Sequence, residues 1–289
     1  MAQQLFGTGL RYLPHVADGE ILHMGLSRPE NAPWFETDSD IGRYHRHKLQ
    51  LRSERGDAVY RTSPESLPAQ QELAAVLRQY LLGEQAANYS AQDNLLHCLP
   101  GDFHAPLAAD EILWNCSLLV ADDLVLMQER AGQYHLTAAS LCSPSHWSLA
   151  EKFGLPLRDI HDPIPGFHAR LTPRVERFFS GLRAGPPFVR FNWSLQAGDA
   201  LAQFPGEESP AAADTELYYR VERQSLKRLP ESGAIVFTIR VYLHPLEALD
   251  AIEGALPALL DTIGSTPDEL LHYKGLDRLA PALGKYRGG

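Results

Sequence analysis

Residues 217–243 of the chain, LYYRVERQSLKRLPESGAIVFTIRVYL, give the clearest indication of its fold class. Successive residues of a β-strand point to opposite faces of a sheet. From residue 235 to residue 243 this alternation collects large apolar side chains on one face. The sequence PESG at 230–233 is typical of a turn. The pattern therefore predicts an antiparallel hairpin of two long strands, at residues 217–226 and 234–243.

Shorter strand patterns and several helical patterns surround this hairpin. Runs of β-favouring residues bounded by turn signals predict strands at 114–120, 124–128, 134–139 and 188–195. Apolar residues at helical spacing predict a helix that begins after Ser63-Pro64-Glu65-Ser66 and ends at Gly83, and further helices at 147–153, 173–182 and 246–263. Strands and helices that do not alternate regularly indicate an α+β protein with a mostly antiparallel sheet of about five to six strands.

The N-terminal residues 1–60 are rich in polar residues, proline and glycine and show no clear period. We expect them to form an irregular arm that packs on a core domain of residues 61–289. No internal repeat or low-complexity tract divides the chain further.

The composition excludes several classes of protein. The chain has 289 residues, of which 44% are apolar, and a formal net charge of −10. It can bury a core, but it lacks the basic surface that nucleic acids or anionic membranes require. No stretch reaches the about 20 apolar residues of a membrane helix. Phosphate-binding, serine-hydrolase and zinc-protease motifs are absent from the sequence.

The cysteine content and the N-terminus favour the cytoplasm as the compartment. The chain has three cysteines, which form no disulfide framework, and its N-terminus lacks the pattern of a signal peptide. Three thiols also fall short of the four that hold an ordinary iron–sulfur cluster. If the protein carries a redox metal, we expect another kind of ligand to hold it.

The most unusual segment is LCSPSHWSLAEKFGLPLRDIHDPIPGF, residues 141–167. Here His161 precedes Pro163 and Pro165, whose rings fix φ and restrict the residues before them. A histidine at the entry of a stiff loop is held in one orientation, which suits a ligand of iron or haem. The alternative is a turn residue hydrogen-bonded to backbone, a commoner role for a histidine beside prolines. Cys142 is expected to be a small core residue and not a ligand.

Two arginines stand in strand patterns that are otherwise apolar. Arg190 lies within VRFNW at 189–193, and alternation puts Arg223 on the apolar side of its strand. A buried guanidinium needs an anionic partner. An internal Asp or Glu could provide it, and so could the propionate groups of a haem.

Taken together and in order, five pieces of the chain resemble the haem-dependent oxidative N-demethylase family. They are Leu141-Cys142-Ser143-Pro144-Ser145-His146-Trp147, Glu151-Lys152-Phe153-Gly154, Ile160-His161-Asp162-Pro163-Ile164-Pro165-Gly166, Arg190-Phe191-Asn192-Trp193 and Arg220-Val221-Glu222-Arg223-Gln224. The resemblance runs from about Trp34 to Leu246. It implies a PAS-like antiparallel sheet around a b-type haem.

The resemblance also implies an activity. A small methylated amine such as dimethylamine would lose a methyl group in a monooxygenase-type reaction that uses O₂ and releases formaldehyde. Electrons would come from NADPH through a separate reductase partner that carries flavin and iron–sulfur groups. A haem-binding PAS sensor without turnover, and a haem-free protein that kept the fold, are the alternatives.

The family motifs give a set of candidate cofactor residues in this chain. His161, in the IHDPIPG piece, is the expected iron ligand, and His146 is the second candidate. Arg190 and Arg223 are expected to hold the haem propionates. Asn192 and Trp193, from the RFNW piece, are assigned to the same cofactor site.

A cationic amine substrate would also need a carboxylate or aromatic rings in its pocket. Glu222 is the candidate catalytic carboxylate, because it lies on the polar face of its strand. The alternative is that Glu222 only neutralises Arg220 or Arg240. Aromatic walls could come from three residues of neighbouring strands, Trp193, Tyr218 and Tyr242.

Overall fold

The computed structural model describes residues 9–18, 21–106, 110–207 and 210–286, and this part of the chain is α+β, as the sequence predicts. Its helices are α1 (Pro14–Asp18), α2 (Ile41–Arg55), α3 (Leu67–Leu82), α4 (Ile112–Leu118), α5 (Leu149–Lys152), α6 (Leu157–Ile160), α7 (Phe167–Arg170), α8 (Thr172–Gly181), α9 (Ala255–Gly264), α10 (Asp268–Tyr273) and α11 (Ala280–Leu283). Its strands are β1 (Tyr60–Thr62), β2 (Tyr89–Gln92), β3 (Leu95–Cys98), β4 (Phe103–Pro106), β5 (Asp123–Arg130), β6 (Gln133–Ser140), β7 (Phe188–Ala197), β8 (Leu217–Arg228) and β9 (Ile235–Pro245).

Among the described residues, six strands form one antiparallel sheet in the order β1-β6-β5-β9-β8-β7. The predicted hairpin is present, since β8 pairs with β9 on one side and with β7 on the other. In the β7–β8 register Asn192 lies opposite Glu222, and Arg190 lies opposite Gln224. The prediction of a mostly antiparallel sheet of five to six strands is confirmed. A second sheet, β2-β3-β4, was not predicted.

The two faces of the six-stranded sheet pack against different parts of the chain. On one face, Leu124, Leu126 and Val236 join the buried side chains of α2, α3 and α4. On the other face, Val125 and Ile235 belong to a smaller core that α5 to α8 cover. A third core joins α1, the β7–β8 pair and α9 to α11. Alternation along β8 therefore places Glu222 on the covered side of α5 to α8, and Arg223 on the side of α2 and α3.

Residues 114–120 do not form a strand, contrary to the prediction. They belong to α4 and the turn that follows it, and all residues from 113 to 120 are buried. Periodicity does not distinguish a fully buried strand from a fully buried helix. The helix forms here because it packs between α3 and the sheet.

The expectation of irregular structure through residue 60 is wrong for α2. Its buried side chains include Ile41, Tyr44, Lys48 and Leu51, which recur at helical spacing. Charged and polar residues between them obscure the period. The division into an arm of residues 1–60 and a domain of residues 61–289 stays a prediction.

The predicted helix at 246–263 is divided into two pieces. A 3-10 turn at Leu246–Ala251 is followed by α9, and between them Gly254 has a φ of +76°, which glycine adopts readily. The other predicted helices and strands are present, with ends shifted by a few residues.

Candidate functional site

A cavity of about 340 Å³ lies on the sheet face that carries Glu222. Pockets that hold small molecules have volumes of about 300–1,000 Å³. Strands β5 to β9 form one wall, and the segments 21–26 and 141–147, helices α6 to α8 and the end of α10 form the others. The apolar lining residues include Val125, Met127, Leu136, Ile160, Ile164, Phe167, Leu171, Val175, Phe178, Phe179, Leu226, Phe237 and Ile239. The cavity is therefore mostly apolar, and its charged lining residues lie on β7, on β8 and directly after α10.

His161 lines this cavity at the end of α6. Its Nδ1 lies 2.7 Å from the carbonyl oxygen of Leu157, and its ring stacks on Phe167 with 4.4 Å between centroids and 5° between planes. The carbonyl can only accept, so Nδ1 carries the proton and donates it. Nε2 is then the basic nitrogen, and it has no hydrogen-bond partner among the described residues.

The loop that follows His161 is held by its own backbone. The amide of Ile164 donates to the His161 carbonyl at 3.0 Å, and the amide of Phe167 donates to the Ile164 carbonyl at 3.1 Å. Pro163 and Pro165 restrict φ between these bonds. The imidazole is therefore fixed by a hydrogen bond, a ring stack and a stiff turn.

Burial lowers the pKa of His161 below its ordinary value, because it outweighs the hydrogen bond to the Leu157 carbonyl. The positive charges of Arg190 and Lys152 act in the same direction. The ring is neutral at pH 7, which is the form that binds a metal ion.

Two further histidines line the cavity from other segments, His146 and His23. His146 has a φ of +53°, and its amide donates to the carbonyl of Gln203 at 2.8 Å. The backbone carbonyl of His23 accepts from Arg190 Nη2 at 3.0 Å. The second sequence candidate, His146, thus lies at the same cavity as His161.

Glu222 is the centre of the polar wall. Its Oε1 accepts from Arg220 Nε at 3.1 Å, and its Oε2 accepts from Asn192 Nδ2 at 3.2 Å and Gln224 Nε2 at 3.0 Å. Arg190 Nη1 extends the wall by donating to Gln224 Oε1 at 2.9 Å. The β7–β8 register produces this wall, because it sets these side chains opposite one another.

A lysine that was not predicted from the sequence completes the wall. Lys274, which follows α10, donates from Nζ to Asn192 Oδ1 at 2.9 Å and to the Trp193 carbonyl at 3.3 Å. Burial lowers its pKa from 10.5 to about 8, although the charge of Glu222 opposes this shift. Burial alone would raise the pKa of Glu222, but Arg220, Lys274 and the hydrogen bond from Asn192 hold it below its ordinary value. Glu222 is therefore an ionised carboxylate at pH 7.

The structure does not bring Arg223 or Trp193 to the cavity. The Arg223 guanidinium lies on the opposite face of β8, where Nε is 3.4 Å from Glu36 Oε1 and Nη1 donates to the Trp34 carbonyl at 3.1 Å. Trp193 is 2% exposed and packs edge-on against His15. Both have odd residue numbers in strands whose even-numbered residues face the cavity, so alternation separates them from Arg190, Asn192 and Glu222.

Sequence reasoning missed Lys274 and the segment 21–26. Lys274 lies more than 80 positions from Asn192 and 52 positions from Glu222, and nothing local to α10 marks it as a cavity residue. Segment 21–26 reaches the cavity because Ser27 pairs with Val189 at the edge of β7, with amide–carbonyl distances of 2.9 and 2.8 Å. Only long-range pairing reveals these contributions.

In the described ranges, none of the helices has the length and apolar character needed to cross a membrane.

The family model described as "Haem-dependent oxidative N-demethylase, alpha subunit-like" matches residues 25–283. This match covers most of the chain, including every residue of the polar wall and the four motif pieces that line the cavity. The resemblance inferred from the motifs is therefore confirmed, and the chain belongs to the haem-dependent oxidative N-demethylase alpha subunit-like family.

Proposed function

We propose that this protein removes a methyl group oxidatively from a small methylated amine such as dimethylamine, with His161 as the protein ligand of a b-type haem. The observation that supports this most directly is the imidazole of His161, which lines an apolar cavity and donates from Nδ1 to the Leu157 carbonyl, so that Nε2 is the basic nitrogen. A backbone acceptor on one ring nitrogen is the usual arrangement for a histidine that binds metal through the other.

The residues of the cavity fit a haem. Its long apolar lining matches the body of a macrocycle, and Arg190 supplies a cation of the kind that holds a propionate. Asn192 would contribute to the cofactor site from the same face of β7. Arg223 and Trp193 would act from behind the sheet by holding its position, since neither side chain reaches the cavity. We also propose that the sheet and its flanking helices form a PAS-like scaffold for the haem.

Glu222 is proposed as the carboxylate that orients the amine. An ionised carboxylate offers about four acceptor positions, and Glu222 accepts three hydrogen bonds from described side chains. One position remains for an N–H of the substrate. The surrounding donors fix the carboxylate in place, so little reorganisation is needed when the amine binds.

The bound haem would supply the oxidising chemistry with O₂, and the methyl carbon would leave as formaldehyde. The apolar walls exclude water from the reacting atoms. Since the family is named as an alpha subunit, we propose that a separate reductase partner delivers electrons from NADPH through flavin and iron–sulfur groups. The location of the protein in the cytoplasm stays a prediction.

The visible spectrum of the purified protein tests this proposal. Protein expressed with a haem precursor should show a Soret band, and His161→Ala should lose it. His168→Ala is the matched control, because His168 lies on the next helix, α7, contacts Asp162 at 3.0 Å and is not among the residues that line the cavity. His146→Ala should keep the band if His161 is the ligand.

Turnover is the second measurement. Wild-type protein with dimethylamine, O₂ and a chemical reductant should release formaldehyde. A Soret band without formaldehyde would favour a haem sensor over the enzyme. A wild-type protein that never acquires a Soret band would refute the haem proposal.

A further inference from the structure

Lys274 brings a partly buried cation to the cavity wall with one donor unused. An ammonium has three N–H donors, and Lys274 uses two of them, on Asn192 Oδ1 and the Trp193 carbonyl. No other hydrogen bond or ion pair of Lys274 occurs among the described residues. Because Lys274 lines the cavity, the remaining donor is available to a ligand there.

Arg190 places a second cation on the same wall. It precedes Asn192 by two residues on β7 and so shares its face, about 7 Å along the strand. Its guanidinium donates to Gln224 Oε1 at 2.9 Å and to the His23 carbonyl at 3.0 Å. Both cations are therefore held in place before any ligand binds.

The charged side chains of this wall leave an excess of positive charge. Among the described lining residues, the charged side chains are Arg190, Lys274 and Glu222. Glu222 is already paired with the fully buried Arg220 at 3.1 Å. Lys274 adds a second cation beside a carboxylate that Arg220 already neutralises. Removing this second charge from water is costly unless an anion joins it.

We propose that Lys274 and Arg190 form a carboxylate-binding end of the cavity. The carboxylate can come from a haem propionate, in which case the inference rests on the proposed function. It can also come from the substrate itself, which would then be an N-methylated amino acid. The chemistry is the same in both cases, a charge-assisted hydrogen bond from an ammonium and a guanidinium to a carboxylate.

The titration of Lys274 agrees with this role. Its charge faces Glu222 and Arg220 on β8 and Arg190 on β7, and Tyr273 is its neighbour on α10. With a pKa of about 8, the Lys274 side chain is half protonated at that pH and approaches its full charge as the pH falls further. The affinity for a carboxylate should therefore be highest below pH 8 and should fall as the pH rises through that value.

The first arm of the test titrates apoprotein with haem and with haem dimethyl ester, which lacks the propionate charges. If haem provides the carboxylate, Lys274→Met should weaken haem binding about tenfold, as expected for one lost charge-assisted hydrogen bond. Binding of the ester should be unchanged, and Lys274→Arg should restore the haem affinity. Lys285→Met is the control, since Lys285 lies outside the cavity and pairs only loosely with Glu247, at 3.9 Å.

The second arm measures N-methylglycine and dimethylamine by calorimetry on the protein as purified. If the substrate provides the carboxylate, Lys274→Met should weaken the binding of N-methylglycine about tenfold. It should not weaken the binding of dimethylamine, because the lost ammonium repels a cation. Equal affinities of wild type and Lys274→Met in both arms would overturn the inference, as would wild-type protein that binds neither haem nor N-methylglycine. Wild-type protein that binds no haem but prefers N-methylglycine through Lys274 would refute the proposed function and support the inference.

Discussion

At the scale of single residues, the charge of Glu222 is the clearest case of a group defined by its surroundings. Its side chain is only 12% exposed, yet it stays ionised because Arg220, Asn192 and Gln224 donate to it and Lys274 lies nearby. A carboxylate that accepts these hydrogen bonds both lines the cavity and stabilises the pairing of β7 with β8. The two alternatives raised from the sequence, a functional carboxylate and a partner of Arg220, are compatible in one side chain.

The substitution Glu222→Gln should therefore lower the free energy of unfolding by about 3 kcal/mol, because it leaves Arg220 buried without its ion-pair partner. The folded-state pKa of Glu222 lies below its ordinary value of 4.5. The stabilisation is thus present above pH 4.5 and is lost as the pH falls through the lowered pKa. Urea unfolding at pH 7 and at pH 3.5 should show the difference shrinking on acidification.

Glu207→Gln is the matched control for this measurement. Glu207 pairs with Arg55 at 2.8 Å, but both side chains are about half exposed. Loss of such a surface pair should cost less than about 1 kcal/mol. If the two substitutions destabilised the protein equally, the polar wall would not be a strong structural unit.

At the scale of the elements, Lys48 joins α2 to the end of α4. Its side chain is fully buried, and Nζ donates to the carbonyls of Ser117 at 2.8 Å, Val120 at 3.1 Å and Asp122 at 2.5 Å. The last carbonyls of a helix lack partners within the helix. Lys48 satisfies those of α4 and of the turn that leads into β5.

We expect Lys48→Met to destabilise the protein by about 2–4 kcal/mol, because three buried carbonyls lose their donor. Arg46→Met, on the exposed side of the same helix, provides the control. Chemical denaturation followed by circular dichroism measures both. An effect of Lys48→Met as small as that of Arg46→Met would show that water replaces the lost donor.

At the scale of the whole molecule, the N-terminal sixty residues contribute to both faces of the sheet. Trp34, Phe35 and Ile41 lie in the core that packs on α3 and α4. Residues 21–26 close the cavity on the other face. Between them, Glu36 contacts Arg223, and its backbone carbonyl accepts from Arg240.

The fragment of residues 61–289 should therefore fail to fold alone. Burial of a large apolar side chain contributes about 1.5–3 kcal/mol. The loss of Trp34, Phe35, Ile41, Tyr44 and Leu51 from the core would remove about 10 kcal/mol, which is comparable to the total stability of a domain. Near-ultraviolet circular dichroism and urea titration of the fragment would test this.

Addition of a peptide of residues 1–60 to the fragment is the control. The near-ultraviolet signal should return if the fragment lacks only these contacts. A fragment that unfolds cooperatively without the peptide would show that the first sixty residues are a dispensable arm.

Local patterns predicted the hairpin, α3, α8 and the position of His161, because strand alternation, helical spacing and proline restriction act over a few residues. They failed at residues 114–120, where a continuous apolar run suits a buried helix as well as a strand. They failed again at α2, whose buried positions are separated by charged ones.

The sequence by itself determined the fold class, the family and the stiff loop that holds His161. The tertiary structure alone decided which side chains meet at the cavity. It brought Lys274 and residues 21–26 to the wall and left Arg223 behind the sheet. The physical reason is that a contact between distant segments depends on strand register and on the face that each strand buries, and neither is encoded within the few residues of a motif.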